Sequence, residues 1–569
     1  MKETIIILGA GVMQGPAINI AKELGFYTIA LDASSSAPCV ALADRFEQID
    51  LKDKEGIETF ARSIQGQTSR LGIMTAGTDF SASVAWTAEK LGLPGIPYEA
   101  ALNASDKSRM RECFKKANLP SPDFITITAE YLSTPCSMLP VPFPAVIKPV
   151  DNMGSRGCRR VDNIDEFPEA AKTAIGFSRS GRAIVENFMD GPEFSVDAIV
   201  YKGEITICGL ADRHIFFPPY FIEMGHTMPT IIDNEKQNAM LDTFCAGIHS
   251  LGIAGKDNIG AAKGDIKLTA NGPMIGEIAA RLSGGYMSGW TYPYSSGALP
   301  VKGAILAAMG RKPEGLVPVK NWTCAERAFI SIPGTVKEII KKNEDKNYIN
   351  DIFMRIKEGD KVSFPENNVS KCGNIIASAP DRETAIKAAQ DAAKSILITL
   401  DPTDLETGKF LAKTQSMPGK EERAEEFPPD AFQLTDELWE ALSQLPEDNL
   451  GNFTTNHTNG TNLQFNIKAQ VRDGSCGSWL ITPFPAFENS GLRDYMGRTV
   501  KESLEAVRFL CASAAPCETL SDPCENAENS IRLGKSFWKA LIRGSYQGAV
   551  YYIDNLGEKI EKEERRRLK

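Results

Sequence analysis

The sequence predicts a mixed α/β and α+β protein: a doubly wound parallel sheet at the N-terminus, a strand-rich middle and a mostly helical end. Three observations carry that expectation. The first hundred residues alternate apolar strands with helices, the βαβ pattern that closes into a parallel sheet. Between Phe143 and Ser378 short strands outnumber helices and are joined by tight turns of Gly, Asn and Pro. Beyond about residue 430 the patterning turns helical. A chain of 569 residues has room for three or four domains, each with a sizeable core.

The first strand, residues 3–8 (ETIIIL), is followed by Gly9, Gly11 and Gly15, the last opening a helix to about Leu24. A second strand, Tyr27–Leu31, ends at Asp32, and further strands lie near Phe46–Ile49 and Gly72–Thr75. Those glycines with an acid at the next strand end suggest a dinucleotide fingerprint, but the spacing is one residue off. Close packing needs the same small residues and is the simpler reading. Ala104–Ser121 reads as a helix capped by Ser105 or Asp106, with Lys107 in its first turn. The strand Phe143–Pro149 carries Lys148 near its end and runs into Gly154-Ser155-Arg156-Gly157. Small residues there let main-chain N–H groups close on an anion, although a plain tight turn has the same composition. No Gly-Lys-Ser/Thr follows, so the loop is not of the Walker kind. Residues 183–199 read as two strands about a Gly-Pro turn, Glu186 ending the first and Glu193 opening the second. Ala211–Thr230, rich in Pro and aromatics and holding Arg213, Glu223 and His226, reads as an irregular segment. It either lines a pocket or packs as a Pro-stiffened loop. A helix over Asp233–Leu251 follows.

The stretch from Gly264 to Gly285 (GDIKLTANGPMIGEIAARLSGG) reads as a hairpin about Asn271-Gly272-Pro273. Such a hairpin brings Asp265 beside Glu277, with Arg281 just beyond. Two carboxylates and a guanidinium converging at a strand end suit a hard cation and phosphate oxygens. An ordinary hairpin with exposed charges has the same signature in isolation. Further on, strands are expected at Ala325–Ile332, Val336–Ile340, around Asp351–Val362 and at Asn374–Ser378, then an amphipathic helix over Arg382–Ile398. A polar linker reaches about Asp430, and 451–461 is an Asn/Thr/Gly-rich loop. Helices are expected at Lys501–Ser513 and Ser530–Leu541, and Glu558–Lys569 is a charged helical tail.

Composition narrows the function. A net charge of −10 gives no general attraction to nucleic acid or anionic membrane, so an anionic ligand must meet a local basic patch. The apolar run at the N-terminus breaks at Gly9, too early for a signal peptide, and no run is long enough for a membrane span. Twelve cysteines without a CxxC pair, and only four histidines, argue against a zinc site. Cys511, Cys517 and Cys524 could bridge in an oxidising compartment but read as reduced thiols in a cytosol, and the Asn-x-Thr triplets at Asn452, Asn456 and Asn459, which match the glycosylation acceptor, read as a polar loop. The expected setting is cytoplasmic, with small-molecule substrates and no nucleic acid or membrane partner; homo-oligomerisation is left open.

Taken in order, Lys107, Lys148 with its Gly-rich loop, Glu186…Glu193 and Asp265…Glu277…Arg281 resemble the ATP-grasp superfamily over roughly residues 1–400. The start resembles the domain preceding the grasp in biotin carboxylase and carbamoyl phosphate synthetase. DRHIFFPPYFIEMGHTMPT is similar to the branch of L-amino acid ligases and carnosine-synthase-like enzymes, which keeps Glu-x-x-His and a following Pro. The resemblance implies a pre-ATP-grasp Rossmann-like domain at 1–103 and a two-lobed ATP-grasp domain at 104–310 with a lid at about 120–185. It further implies a β-rich part of the core at 311–400, leaving 401–569 as a mostly helical extension of unassigned role. It implies that Lys107 and Lys148 hold the α- and β-phosphates of ATP and that Gly154, Ser155, Arg156 and Gly157 close over the β- and γ-phosphates. Glu186 would lie at the adenine hinge and Glu193 on the ribose. Asp265 and Glu277 would hold one or two Mg²⁺, with Mn²⁺ as an alternative ion. Arg281 would stabilise an acyl phosphate, and Glu223 and His226 would face the substrate. Two departures stand out: Ala279 replaces the Asn of Glu-x-Asn-x-Arg, removing one metal ligand, and Gly285 lies where dipeptide ligases can carry a bulky residue. The expected reaction is ATP-dependent carboxylate–amine ligation through an acyl phosphate, with release of ADP and phosphate. The alternatives are a bicarbonate-using carboxylase, a carbamoyl-phosphate-synthetase-like enzyme, or a non-catalytic ATP-binding regulatory protein.

Overall fold

The computed structural model describes residues 1–133, 141–341, 347–401, 404, 430–449, 480–511 and 532–567. The N-terminal sheet is parallel, with β1 (Glu3–Leu8), β2 (Tyr27–Asp32), β3 (Arg45–Gln48) and β4 (Arg70–Thr75) in the order β3-β2-β1-β4. β1 runs Ile5–Leu8 without an exposed side chain, as a strand covered by helices on both faces must. At the turn after β1, the Asp32 carboxylate accepts from the Ala10 N–H at 2.9 Å, and a Cβ on Gly15 would lie 3.1 Å from the Cys39 sulfur. The glycines and the acid are used for packing.

A small antiparallel sheet follows: β5 (Phe124–Thr128), β6 (Ala145–Pro149), β7 (Arg159–Val161) and β8 (Arg182–Asn187), ordered β5-β8-β6-β7. The helix Phe167–Phe177 covers one face with Phe167, Ala170, Ala171 and Ala174. The next strands are β9 (Glu193–Tyr201), β10 (Glu204–Phe216), β11 (Ile222–Met228), β12 (Ile259–Thr269), β13 (Gly272–Ala279), β14 (Thr323–Phe329), β15 (Gly334–Lys341), β16 (Ile349–Met354), β17 (Lys361–Val362), β18 (Gly373–Ala379) and β19 (Ile396–Leu400). Eight of them form one sheet, β13-β12-β9-β10-β11-β14-β18-β16, and β17-β15-β19 form another.

Two expectations are corrected. The helix expected over Arg382–Ile398 ends at Lys394, and Ile396–Ile398 belong to β19, whose apolar run pairs with β15. Residues 211–230 are mostly regular: β10 and β11 pair antiparallel through Asp212↔Thr227 and Arg213↔His226, with a bulge at His214/Ile215. Only the Pro218-Pro219 turn is irregular. The aromatic and Pro content reads as loop in isolation, but the flanking strands β9 and β14 supply the ladder bonds that make it sheet.

The C-terminal helices, Asp436–Ser443, Val500–Cys511 and Lys535–Arg567, share one core with β15 and β19. Trp538 is fully buried there, edge-on to Phe484 and Phe487. The helix Lys535–Arg567 breaks at Ser545, where φ is +54°. The expected linker before 430, the loop at 451–461, Cys517 and Cys524 lie outside the described residues. Among the described residues no disulfide forms and no helix is long and apolar enough to cross a membrane.

Candidate active site

The site lies in a cleft of about 430 Å³ between the small antiparallel sheet and the large one, closed on a third side by residues 355–371. It is built by register. β12 and β13 set Asp265 directly across from Glu277, and Lys263 across from Ala279. Just past that pair a bulge inserts Gly276, whose carbonyl accepts from Arg111 Nη2 at 2.6 Å. Bulges of this kind re-aim side chains beside active sites. A second row crosses five strands in ladder order: Lys267, Glu193, Arg213, His226 and Glu326. Opposite charges stand directly across neighbouring strands at Lys267–Glu193 and Glu193–Arg213 and support the row there.

Arg213 is the hub. It pairs with Glu193, with Glu223 at 2.8 Å and with Asp265 at 3.0 Å. Burial works against its charge, but Asp265, Glu193 and Glu223 raise its pKa above the usual arginine range. Burial pushes the Asp265 carboxyl up, yet Arg213 and Lys263 pull it below the usual range. Glu277 is likewise lowered against burial by Lys107, Lys263 and Lys148. Both acids are therefore ionised at neutral pH. Lys107 opens the helix Lys107–Lys116, capped by Asp106, and donates to the Asn152 carbonyl at 2.9 Å while lying 3.6 Å from Glu277.

Lys148 on β6 donates to Glu186 on β8 at 2.7 Å, and Arg111 Nε meets the other Glu186 oxygen at 2.8 Å. Against burial, Arg111 and Lys148 bring the Glu186 carboxyl down to about 2. That carboxylate is thus committed to two cations, and the residues that follow it, Asn187, Phe188 and Met189, line the cleft. The loop after β6 carries three left-handed positions near its tip, Gly154 (φ +68°), Ser155 (+59°) and Gly157 (+67°). Its Gly154 carbonyl accepts from Asn368 N–H at 2.9 Å, and the Asn368 side chain reaches Ser155 Oγ at 3.3 Å. Asn368 Oδ1 also accepts from the Glu223 N–H at 2.8 Å. One residue therefore ties the loop to β11.

Glu223 and His226 lie side by side on β11, 3.6 Å apart, and His226 Nδ1 is 3.2 Å from buried Glu326. Burial raises the Glu223 carboxyl, but His226 and Arg213 hold it well below its ordinary range. A Cβ on Gly285 would lie 2.8 Å from Glu223 Oε1, at a φ of +60°, so the glycine keeps this corner open. Arg281 donates to the Leu282 carbonyl at 3.1 Å, and its buried Nε has no hydrogen-bond partner, with Asp79 at 4.0 Å. Every residue singled out from the sequence lines this one cleft except Gly157, whose neighbours Arg156 and Cys158 do. Lys263, Asn368, Lys371 and Arg355 were not singled out, and Arg213 was noted in the 211–230 segment without a role. Lys263 and Arg213 sit two residues from an acid or on a strand misread as irregular, and the other three are contributed from a hundred residues away.

The donor set fits a divalent cation at Asp265 and Glu277: two ionised carboxylates face each other, and phosphate or water oxygens can complete a hard ion's shell. No third acid joins them, and among the described residues no cluster of three metal-type side chains exists.

Residues 141–288 match the ATP-grasp domain family. The chain carries an ATP-grasp domain. Residues 328–401 match the L-amino acid ligase C-terminal domain 2. Among curated proteins it is 23% identical to an uncharacterised protein, y4rH, of Sinorhizobium fredii, over 71% of the chain and 84% of the relative. It is 23% identical to carnosine synthase 1 of Gallus gallus over 55% of the chain, spanning only 36% of that protein. In fold it is similar to L-amino acid ligase from Bacillus licheniformis, with a TM-score of 0.59 and 21% identity over 70% of the chain and all of the ligase.

Proposed function

We propose that the chain is an ATP-dependent carboxylate–amine ligase that activates a small carboxylic acid, an amino acid in the first instance, as an acyl phosphate. One observation carries the reading: the facing Asp265/Glu277 pair, ringed by Lys107, Lys148, Lys263 and Arg213, under a loop of left-handed residues. That arrangement neutralises and positions phosphates, which is most of what phosphoryl transfer asks of a protein. The L-amino acid ligase module behind the ATP-grasp domain supports an amine acceptor over bicarbonate.

ATP would take its phosphates to Lys107, Lys148 and the N–H groups of 154–157, its base to the main chain of 187–189 and its ribose to Glu193. Asp265 and Glu277 would hold Mg²⁺, which neutralises phosphate charge. With Ala279 in place of a third ligand, Lys263 stands across the strand where further positive charge is needed. The acid's carboxylate oxygen attacks the γ-phosphorus and ADP leaves. Arg281, whose Nε makes no hydrogen bond among the described residues, would meet the resulting acyl phosphate. The amine then attacks the carbonyl carbon, its proton passing toward Glu223 and His226, and phosphate departs. Asn368 holds the loop over the cleft, which keeps water from the acyl phosphate.

Turnover with an acid carrying heavy oxygen in its carboxylate tests this. One labelled atom should appear in each phosphate released. Unlabelled phosphate would exclude the acyl phosphate route.

A further inference from the structure

The cleft holds more positive charge than ATP accounts for. Nine Lys and Arg side chains line it against five Asp and Glu. A nucleoside triphosphate with one divalent cation brings roughly two negative charges, which leaves an excess of roughly two positive ones. Two cations in the cleft outside the 154–157 loop have no carboxylate within ion-pair distance among the described residues: Lys371 and Arg355. Both come from the 328–401 module.

Lys371 is only 4% exposed, and its Nζ donates to the Glu223 main-chain carbonyl at 2.6 Å. Burial lowers its pKa, which Glu223 and Glu326 offset only in part. A buried ammonium with a neutral acceptor for company is costly until an anion arrives. Arg355 stands exposed at the mouth and makes two long bonds, Nη2 to Tyr286 Oη and Nη1 to the Asn368 carbonyl, each 3.4 Å. Most of its donor fork is unused. Tyr286 follows Gly285, so Arg355 overlooks the open corner beside Glu223 and His226. The two cations therefore flank the place where the amine must enter, one in the wall and one at the rim.

We propose that the amine substrate is acidic: an amino acid with a second carboxylate, its amine toward Glu223 and His226 and its two carboxylates toward Lys371 and Arg355. This rests on the ligase reading above. A fixed pair of cations selects a charged substrate over its neutral amide by denying the amide an equal partner.

Coupled ADP release should be measured with glutamate against glutamine, and aspartate against asparagine, as amine with a panel of amino acids as acid. The acidic member of at least one pair should show a KM about tenfold or more below its amide. Arg355→Met should erase that difference through KM rather than kcat, and Lys371→Arg should keep it where Lys371→Met loses it. Coupled release with equal KM for acid and amide overturns the acidic substrate while leaving the ligase intact. Release that needs no amine at all overturns both.

Discussion

In the proposed reading Glu277 acts through its charge: the groups that lower it are lysines, and its partner across the strand is another acid. Glu277→Gln keeps the shape and removes the charge. ATP turnover should fall by about 10²–10³ with an unchanged unfolding midpoint, by analogy with loss of one transition-state electrostatic contact. Near-normal turnover would remove Glu277 from the cation site. Glu186 makes a different prediction. Its pKa is about 2 in the fold against 4.5 ordinarily, so its pairs contribute fully above pH 4.5 and lose their contribution as pH falls toward 2. Glu186→Gln leaves Arg111 buried without its counter-ion and should cost about 3–5 kcal/mol at neutral pH. Unfolding followed by pH should show a shallower decline below pH 4.5 in the variant; parallel declines would contradict the pairing. At this scale the acids were legible, since the turn brings Asp265 near Glu277, although the bulge at Gly276 is what sets them directly opposite. Lys263 was not, because its meaning depends on the alanine across the strand.

Elements meet at the cleft through Asn368, whose side chain bonds both the 154–157 loop and the start of β11. Asn368→Ala should raise KM for ATP and for the amine together, about threefold to tenfold, since each lost hydrogen bond is worth about 0.5–1.5 kcal/mol. Limited proteolysis within 154–157 should quicken in the same variant; an unchanged rate with both KM values unchanged would mean the loop is held by its own turn. The βαβ start, the hairpin and the helix behind Asp106 follow from local signals of period and capping. β10 and β11 do not, because their regularity comes from β9 and β14 rather than from their own residues. The loop at 366–371 carries no local motif at all; its place beside Glu223 is a product of the β14–β18 pairing.

At the scale of the molecule the C-terminal helices complete the ligase core rather than sit apart from it. Val336, Ile398 and Leu400 share a cluster with Trp439, Phe487 and Trp538. Ending the chain at residue 401 strips that face, so the truncated protein should aggregate or melt well below the full chain. Trp538→Ala should cost about 3–5 kcal/mol, as large core deletions do. A truncated chain with the full chain's midpoint would show the helices to be an independent unit. Helical patterning beyond 430 was visible in the sequence, but which sheet it covers depends on apolar faces too generic to match by eye. The central claim is the coupling of ATP to an acid and an amine. It is tested most directly by following ADP and phosphate from Mg·ATP with amino acids singly, in pairs, and with bicarbonate. ADP release that requires two amino acids and yields one coupled product per ADP is the predicted result; release that needs bicarbonate alone would contradict it.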